Sequence, residues 1–330
     1  MPTIFDIAKK AKVSVMTVSR VLNNPEIVSK KTYNAIHKIM DDFGYQPSHI
    51  ARSLAKKKTN TIGVIMPDIK NTFFNNLFRL IEDYASSHDF HLLLCNTDEE
   101  PDKEMKYLKL FQSQRVDGIL ISPCSKTSIE YLIKSGMKFI SVDRVFEELK
   151  TDFVSTDHYR GAFEATEYLI RLGHKNIAVL RGDGLLDPDN KRYSGFSDAM
   201  AKYKIKIDPK LILNCGFDES FACESVNKLF RQELKPTAIF AFNSLMMAGA
   251  IQSIISKKKK IPNDISLICF DKIPGYDIFQ PRITCINQPV EQIGTESIKA
   301  LIEKIKKPNS RRTKILLKPK LGVGDSCRKM

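Results

Sequence analysis

From Thr61 onward the chain alternates continuous apolar runs with amphipathic stretches of helical spacing, and this alternation narrows the possible folds more than any other feature. The runs are Thr61–Met66, His91–Asn96, Gly118–Ser122, Phe139–Asp143, Asn176–Gly182, Leu211–Gly216, Ala238–Asn243 and Ser266–Asp271. Uninterrupted apolar strands separated by helices belong to parallel sheets covered on both faces. These runs are too many for one ordinary doubly wound sheet, so the pattern predicts two similar α/β lobes, each a parallel doubly wound sheet. Asp143, Asn243 and Asp271 close their runs. Ligands of open α/β sheets bind outside the carboxyl ends of the strands, which predicts a site in a cleft between the lobes.

The first 45 residues follow a different plan, an all-α head. Thr3 to Asp6 forms a capping box with Asp in place of the usual Glu, and Ile4, Ile7, Ala8 and Ala11 fall on one helical face. Ser14 caps a second helix to about Leu22, with Val18, Val21 and Leu22 inward; Asn23, Asn24 and Pro25 stop it. Ser29 caps a third, with Ala35, Ile36, Ile39 and Met40 as its buried face. Three short helices with a tight turn between the first two form a helix-turn-helix. After the linker Gln46-Pro47-Ser48, residues 49–58 have helical composition with only Ile50, Leu54 and alanines to bury. Such a segment is too short to hold a helix alone in water, so it stays coil until something orders it.

Charge follows the same division. Of a net +14, residues 1–60 hold 11 Lys+Arg against 4 Asp+Glu, residues 61–300 hold 31 against 32, and residues 301–330 hold 10 against 2. A basic head points to phosphate contact; a basic tail is more often solvated. At 330 residues, 42% hydrophobic and 27% charged, the chain is long enough to bury a core without disulfides or metals. No apolar run approaches a membrane span, and Met1–Lys12 lacks the apolar stretch of a secretory signal. Seven cysteines without a C-x-x-C pair predict a reducing cytoplasm. No G-x-G-x-x-G, P-loop or G-x-S-x-G occurs, and no His/Cys spacing suits a metal, so neither catalytic residues nor a metal or cofactor are expected.

The stretch Ile7-Ala8-Lys9-Lys10-Ala11-Lys12-Val13-Ser14-Val15-Met16-Thr17-Val18-Ser19-Arg20-Val21-Leu22-Asn23 closely resembles the head of the lactose-repressor (LacI) family of bacterial transcription regulators. Tyr45-Gln46-Pro47-Ser48-His49-Ile50-Ala51-Arg52-Ser53-Leu54 does too. Further matches follow in order: Ile62–Asp68, Gln114–Ile119, Leu172–Ala178, Arg192–Phe196 and Pro236–Phe240. The resemblance runs from about Thr3 to Leu321. It implies a DNA-binding head (1–46), a hinge helix and linker (47–60) and an effector-binding and dimerisation core (61–330) like periplasmic sugar-binding proteins. The lobes would comprise about 61–158 with 288–318, and about 159–287 with 319–330. It also implies a homodimer on double-stranded operator DNA. The absence of heptads at the C-terminus favours a dimer over a tetramer.

On that pattern the second helix lies in the major groove, with Val15, Met16 and Arg20 at base edges; Arg20 can grip a guanine with two hydrogen bonds. Thr3, Ser14, Thr17 and Ser19 are placed for phosphates. Leu54 would wedge into the minor groove, with Ala51 allowing close approach. Lys56, Lys57 and Lys58 either contact phosphates or form a solvated linker.

The same pattern puts Phe73, Phe74, Asp143, Arg144, Arg192, Phe217, Asn243 and Asp271 around the effector. A carboxylate accepting from adjacent hydroxyls, an arginine fork and an aromatic face suit a polyol. Phe73 and Phe74 also read as core, and Asp143 as a strand-end cap. Ser244 and Lys272 stand where the family commonly carries acidic or amide residues. With Arg144 and Arg192 they tilt the expectation toward a sugar acid or sugar phosphate. The function expected is repression of carbohydrate-utilisation genes. The alternatives are a global carbon-catabolite regulator using a phosphorylated carrier protein, against which Ile273-Pro274-Gly275 argues, and a purine-type co-repressor-dependent repressor. A free sugar-binding protein would need export and no head, and a non-specific DNA binder would not need the neutral core.

Overall fold

The computed structural model describes residues 2–45, 58–182, 184–233, 235–272, 275 and 280–330. Contacts divide it into two units, Met1–Asn60 and Thr61–Met330.

The head contains α1 (Ile4–Ala11), α2 (Val15–Asn23), a 3₁₀ turn at Pro25–Ile27 and α3 (Lys30–Asp42). The Thr3/Asp6 capping box is formed, Lys12 ends α1 in the left-handed region, and Ser14 and Ser29 accept from backbone N–H groups at the starts of α2 and α3. Ile7, Ala8, Val18, Val21, Ile36 and Met40 make the core. Ala35, expected on the buried face of α3, is exposed. Ile36 and Met40 stand four residues apart on one face, and the position before Ile36 turns about 100° away from it.

The larger unit holds two six-stranded sheets. The first comprises β1 (Thr61–Met66), β2 (His91–Asn96), β3 (Gly118–Ile121), β4 (Phe139–Val142), β5 (Phe153–Thr156) and β11 (Lys314–Leu317), in the order β11-β5-β4-β3-β1-β2. The second comprises β6 (Ile177–Arg181), β7 (Ile212–Asn214), β8 (Ala238–Ala241), β9 (Ser266–Phe270), β10 (Thr284–Asn287) and β12 (Lys320–Gly322), in the order β12-β10-β9-β8-β6-β7. Every pair in the first sheet is parallel; in the second only β12 runs antiparallel, against β10. The lobes thus share one strand plan. β5, β10, β11 and β12 were not among the apolar runs: Ser, Thr, Asn and Lys interrupt them. The expected runs at Asp143, Asn243 and Asp271 end as strands just before those residues.

Helices cover both faces. α4 (Thr72–Ser86) and α11 (Val290–Lys306) lie on one face of the first sheet, and α5 (Pro101–Ser113) and α6 (Lys126–Ser135) on the other. In the second lobe α7 (His158–Arg171) packs on α8 (Asp187–Lys202), and α9 (Glu219–Leu229) on α10 (Ser244–Ser256). β2 is an edge strand that leaves Leu93 and Leu94 exposed, so its apolar run is not covered on both faces as expected. No helix among the described residues is long and apolar enough to cross a membrane.

Candidate effector cleft and DNA-binding head

All eight residues expected at the effector line one cavity of about 290 Å3 between the lobes, beyond the carboxyl ends of the strands. Local structure explains how each arrives there. Asn71 caps α4, its side chain accepting from Phe73 N–H at 3.0 Å, which sets Phe73 and Phe74 in edge contact at the start of the helix. Asn243 caps α10 by accepting from Met246 N–H at 2.8 Å. Its carbonyl oxygen is thereby used, so what it can offer a ligand is its amide N–H donors. Gly182 follows β6, and a Cβ there would meet the Phe217 ring at 2.5 Å; only glycine lets that ring lie against the strand end.

Arg192 is placed by two devices. Asp189 accepts from Gly182 N–H at 2.7 Å and from Arg181 at 3.0 and 2.6 Å, which pins the first turn of α8 to β6. Gly195 lets α8 close on α7, since a Cβ there would lie 2.2 Å from the Tyr159 carbonyl. The guanidinium then stacks 3.9 Å from the Phe270 ring centroid and donates to the Phe242 carbonyl. It also donates to His158 Nδ1, at 3.4 Å from Nε and 3.2 Å from Nη2. A guanidinium has no acceptor, so Nδ1 accepts and the proton of the neutral ring sits on Nε2. Burial, joined by the Arg192 charge, pushes His158 below its ordinary 6.5, which agrees with a neutral ring.

His158 Nε2 lies 3.2 Å from Asp143 Oδ1. The contact is off the line of an aligned hydrogen bond, and neither atom has another protein partner. Burial raises the Asp143 carboxyl, but the His158 ring and the guanidiniums of Arg192 and Arg144 outweigh it and hold it below the ordinary 3.8. Asp271 moves the other way. Burial raises it, against the opposing pull of Arg192 and of a 2.6 Å hydrogen bond from Gln288 Nε2. Thr156 Oγ1 donates in turn to Gln288 Oε1 at 2.5 Å, tying the end of β5 to the segment after β10.

Arg144 is already committed. Its Nη1 and Nη2 donate to the two Glu99 oxygens at 2.7 and 2.6 Å, and it lies over the Phe74 ring. Burial alone lowers a guanidinium's pKa; here the Glu99 carboxylate more than offsets that and holds it above its ordinary value. Lys272 is exposed and lines a separate hollow of about 600 Å3, with Arg79 and Arg282. Of the three cations behind the expected anionic effector, only Arg192 therefore keeps donors in the cleft without a carboxylate partner of its own. Six carboxylates line the cavity (Asp68, Asp98, Glu99, Asp143, Asp218 and Asp271) against the cations Lys70, Arg144 and Arg192.

Glu99, His158 and Gln288 were not foreseen. All three follow strand ends, so the strand-end rule reaches them once β2, β5 and β10 are placed. His158 meets Arg192 only because α8 closes on α7.

In the head, Met16 is 63% exposed, Arg20 is exposed, and Arg20 Nη2 touches Met16 Sδ at 3.6 Å. Val15 is half-buried against the head's core. Thr17 and Ser19 are half-buried on the same helix, and the Ser14 and Thr17 hydroxyls bond each other at 2.9 Å. The Thr3 hydroxyl donates to Asp6 at 2.7 Å. Ala51, Leu54 and Lys56 lie outside the described residues.

A helix-turn-helix head on a two-lobed, cleft-bearing α/β core defines the class of ligand-responsive DNA-binding regulators. Known proteins agree. Residues 3–48 match the family model for bacterial regulatory proteins of the lacI family, and residues 59–320 that for periplasmic binding proteins and the sugar-binding domain of the LacI family. The chain is 35% identical over 329 residues to the HTH-type transcriptional regulator DegA of Bacillus subtilis, covering 98% of this chain and 97% of that one. It is 36% identical over 311 residues to the ribose operon repressor of Halalkalibacterium halodurans, covering 93% and 91%. A solved Enterococcus faecium regulator with bound ribose superposes with a TM-score of 0.75 at 31% identity, over 82% of this chain and 99% of that one. The lac repressor dimer bound to operator and an anti-inducer, at 21% identity, shares the fold with a TM-score of 0.88 over 99% of each chain. The protein belongs to the LacI family of bacterial regulators. It is a DNA-binding transcriptional repressor responsive to a small molecule, and not an enzyme.

Proposed function

We propose that the protein represses carbohydrate-utilisation genes, binding a near-palindromic operator as a homodimer and responding to a neutral sugar in the cleft. The observation that carries the ligand class is the acid balance of the cavity wall: six carboxylates, Asp143 and Asp271 among them, face three cations, one of which, Arg144, is already paired with Glu99. A hydroxyl donating to a carboxylate is worth about 1.5–3 kcal/mol, and a neutral polyol can make such bonds without adding negative charge. Asp271 offers a second acceptor, Asn243 and Arg192 offer donors, and Phe217 offers an apolar face to sugar C–H groups. The excess of carboxylates favours a neutral polyol over the sugar acid or sugar phosphate read from the sequence. The related ribose operon repressor and the ribose-bound neighbour support the same class.

For DNA, the exposed Met16–Arg20 face of α2 is the base-reading surface, and on the family pattern Leu54 with Ala51 and Lys56 adds a minor-groove contact. Exposed Leu93 and Leu94 on β2, with Phe221 on α9 and Ile255 on α10, are apolar surface that a second copy would cover. Fluorescence anisotropy on DNA upstream of its own gene, with and without a panel of neutral sugars, sugar acids and sugar phosphates, tests this reading. Tight salt-sensitive binding altered by a neutral sugar is expected. Arg20→Ala should weaken it by about 1–3 kcal/mol and relax one base position. A response to acids or phosphates alone would overturn the ligand class, and the absence of any bound palindrome would overturn the specific repressor.

A further inference from the structure

The first lobe's sheet is wholly parallel, so its two ends differ in kind. The carboxyl ends face the cleft, while the strand starts form the opposite end, where Thr61 opens β1 and the chain arrives from the head. α11 runs away from the cleft and delivers the 307–313 loop to that strand-start end, where β11 begins beside β5 at Lys314↔Phe153. From Lys304 to Lys320 the sequence holds eight Lys or Arg and no acidic residue. Two are committed within the core: Lys304 to Asp152, and Arg312 to the Thr151 carbonyl. Lys306, Lys307, Arg311 and Lys314 are exposed and make no ion pair among the described residues.

We propose that this loop is a second DNA-contact surface, gripping backbone phosphates that flank the half-site read by the head. The inference rests on the DNA-binding reading and adds a contact outside the head. A phosphate surface fits better than a docking site for an acidic protein, because residues 306–312 contain no apolar side chain beyond Pro308 and no aromatic to anchor a protein partner. Lys and Arg without structural commitments suit phosphate neutralisation, which needs charge rather than shape. The head occupies the phosphates of its own half-site, so those left for a further contact lie beside it. When the head is bound, its covalent link to this end of the sheet keeps the loop at high local concentration near the duplex.

The test uses the full chain with Lys306→Gln, Lys307→Gln and Arg311→Gln combined. Its control combines Lys257→Gln, Lys258→Gln and Lys260→Gln, an equal reduction of charge after α10 at the strand-start end of the other lobe. The probes are a random-sequence duplex, and the bound palindrome with and without one helical turn of flank on each side. The loop variant should lower the salt slope on random duplex by about 0.9 for each phosphate that it no longer neutralises. It should also weaken flanked operator by roughly tenfold, with unflanked operator and the control unaffected. A slope equal to that of the control overturns the proposal and leaves the loop as a surface for an acidic partner. Equal weakening on flanked and unflanked operator overturns it too. A lowered slope on random duplex with no palindrome bound upholds the surface while refuting the specific-repressor reading.

Discussion

Asp143 and Asp271 occupy matching places in two lobes built on one strand order. Each directly follows its strand, β4 or β9, each has a positive φ (66° and 92°), and each is at most 6% exposed. Yet Asp143 is held below the ordinary carboxylate value and Asp271 is raised above it. Fold position and burial are shared, so neighbours decide: Asp143 faces the His158–Arg192 relay with Arg144 close by, whereas Asp271 has one neutral amide donor and feels the Asp143 charge. A second matched pair repeats the lesson. Glu99 after β2 and Phe217 after β7 both have φ 62°. One neutralises Arg144; the other presents an aromatic face. The same backbone position thus carries a charge in one lobe and an aromatic ring in the other.

The largest effect should come from Arg192, the cation both carboxylates feel. Arg192→Ala should destabilise the core by about 3–5 kcal/mol in urea unfolding, because it strips a buried charge from its partners. It should also abolish the sugar response, while Arg192→Lys restores part of the stability. Asp143→Asn should cost about 1–3 kcal/mol near neutral pH. Asp143's folded value lies below 3.8, so its contribution is present above 3.8 and disappears as pH falls through the folded value. The variant's deficit should therefore shrink on acidification, and an unchanged deficit would break the contrast.

Glu99→Gln should release Arg144 at a smaller cost in stability than Arg192→Ala, because the amide oxygen still accepts one of the two hydrogen bonds. Affinity for sugar acids relative to neutral sugars, read by calorimetry, should rise about tenfold, the worth of roughly one charge-assisted hydrogen bond. If the preference does not move, Arg144 does not face the ligand. The smallest effect carries the opposite sign. Asp271 has a raised folded value, so the stability it contributes is complete below 3.8 and lost as pH rises through the raised value. Asp271→Asn still accepts from Gln288 and avoids that loss. The ligand-free protein should melt at an equal or slightly higher temperature near pH 7.5 while binding sugar more weakly. A lower melting temperature would show that the two carboxylates are alike after all.

Much of this architecture was legible because its causes are local. Continuous apolar runs separated by helices announced two parallel sheets, and Thr3, Ser14 and Ser29 announced the starts of the head helices within one turn of themselves. β5, β10, β11 and β12 escaped because they are only three or four residues long and carry Ser, Thr, Asn or Lys at an end, so no continuous apolar run marks them. The eight cleft residues were reached through the family pattern, and the cavity between the lobes gathers them. Their charge was not legible: Lys272 points to another hollow, and Arg144 is spoken for.

What the sequence determined by itself was the two-lobed α/β class, eight of the twelve strands among the described residues, the head with its caps, the separation of basic head from neutral core, and the polar residues at strand ends. These depend on periodicity and on contacts a few residues long. Only the tertiary structure decided which of those polar residues meet: Arg144 with Glu99 across 45 positions, Arg192 with His158 across 34, Thr156 with Gln288 across 132. Electrostatic energy depends on distance and desolvation rather than on chain separation. The identity of a side chain is therefore written in the sequence, whereas its protonation and its partner are settled only when the sheets bring distant strand ends together.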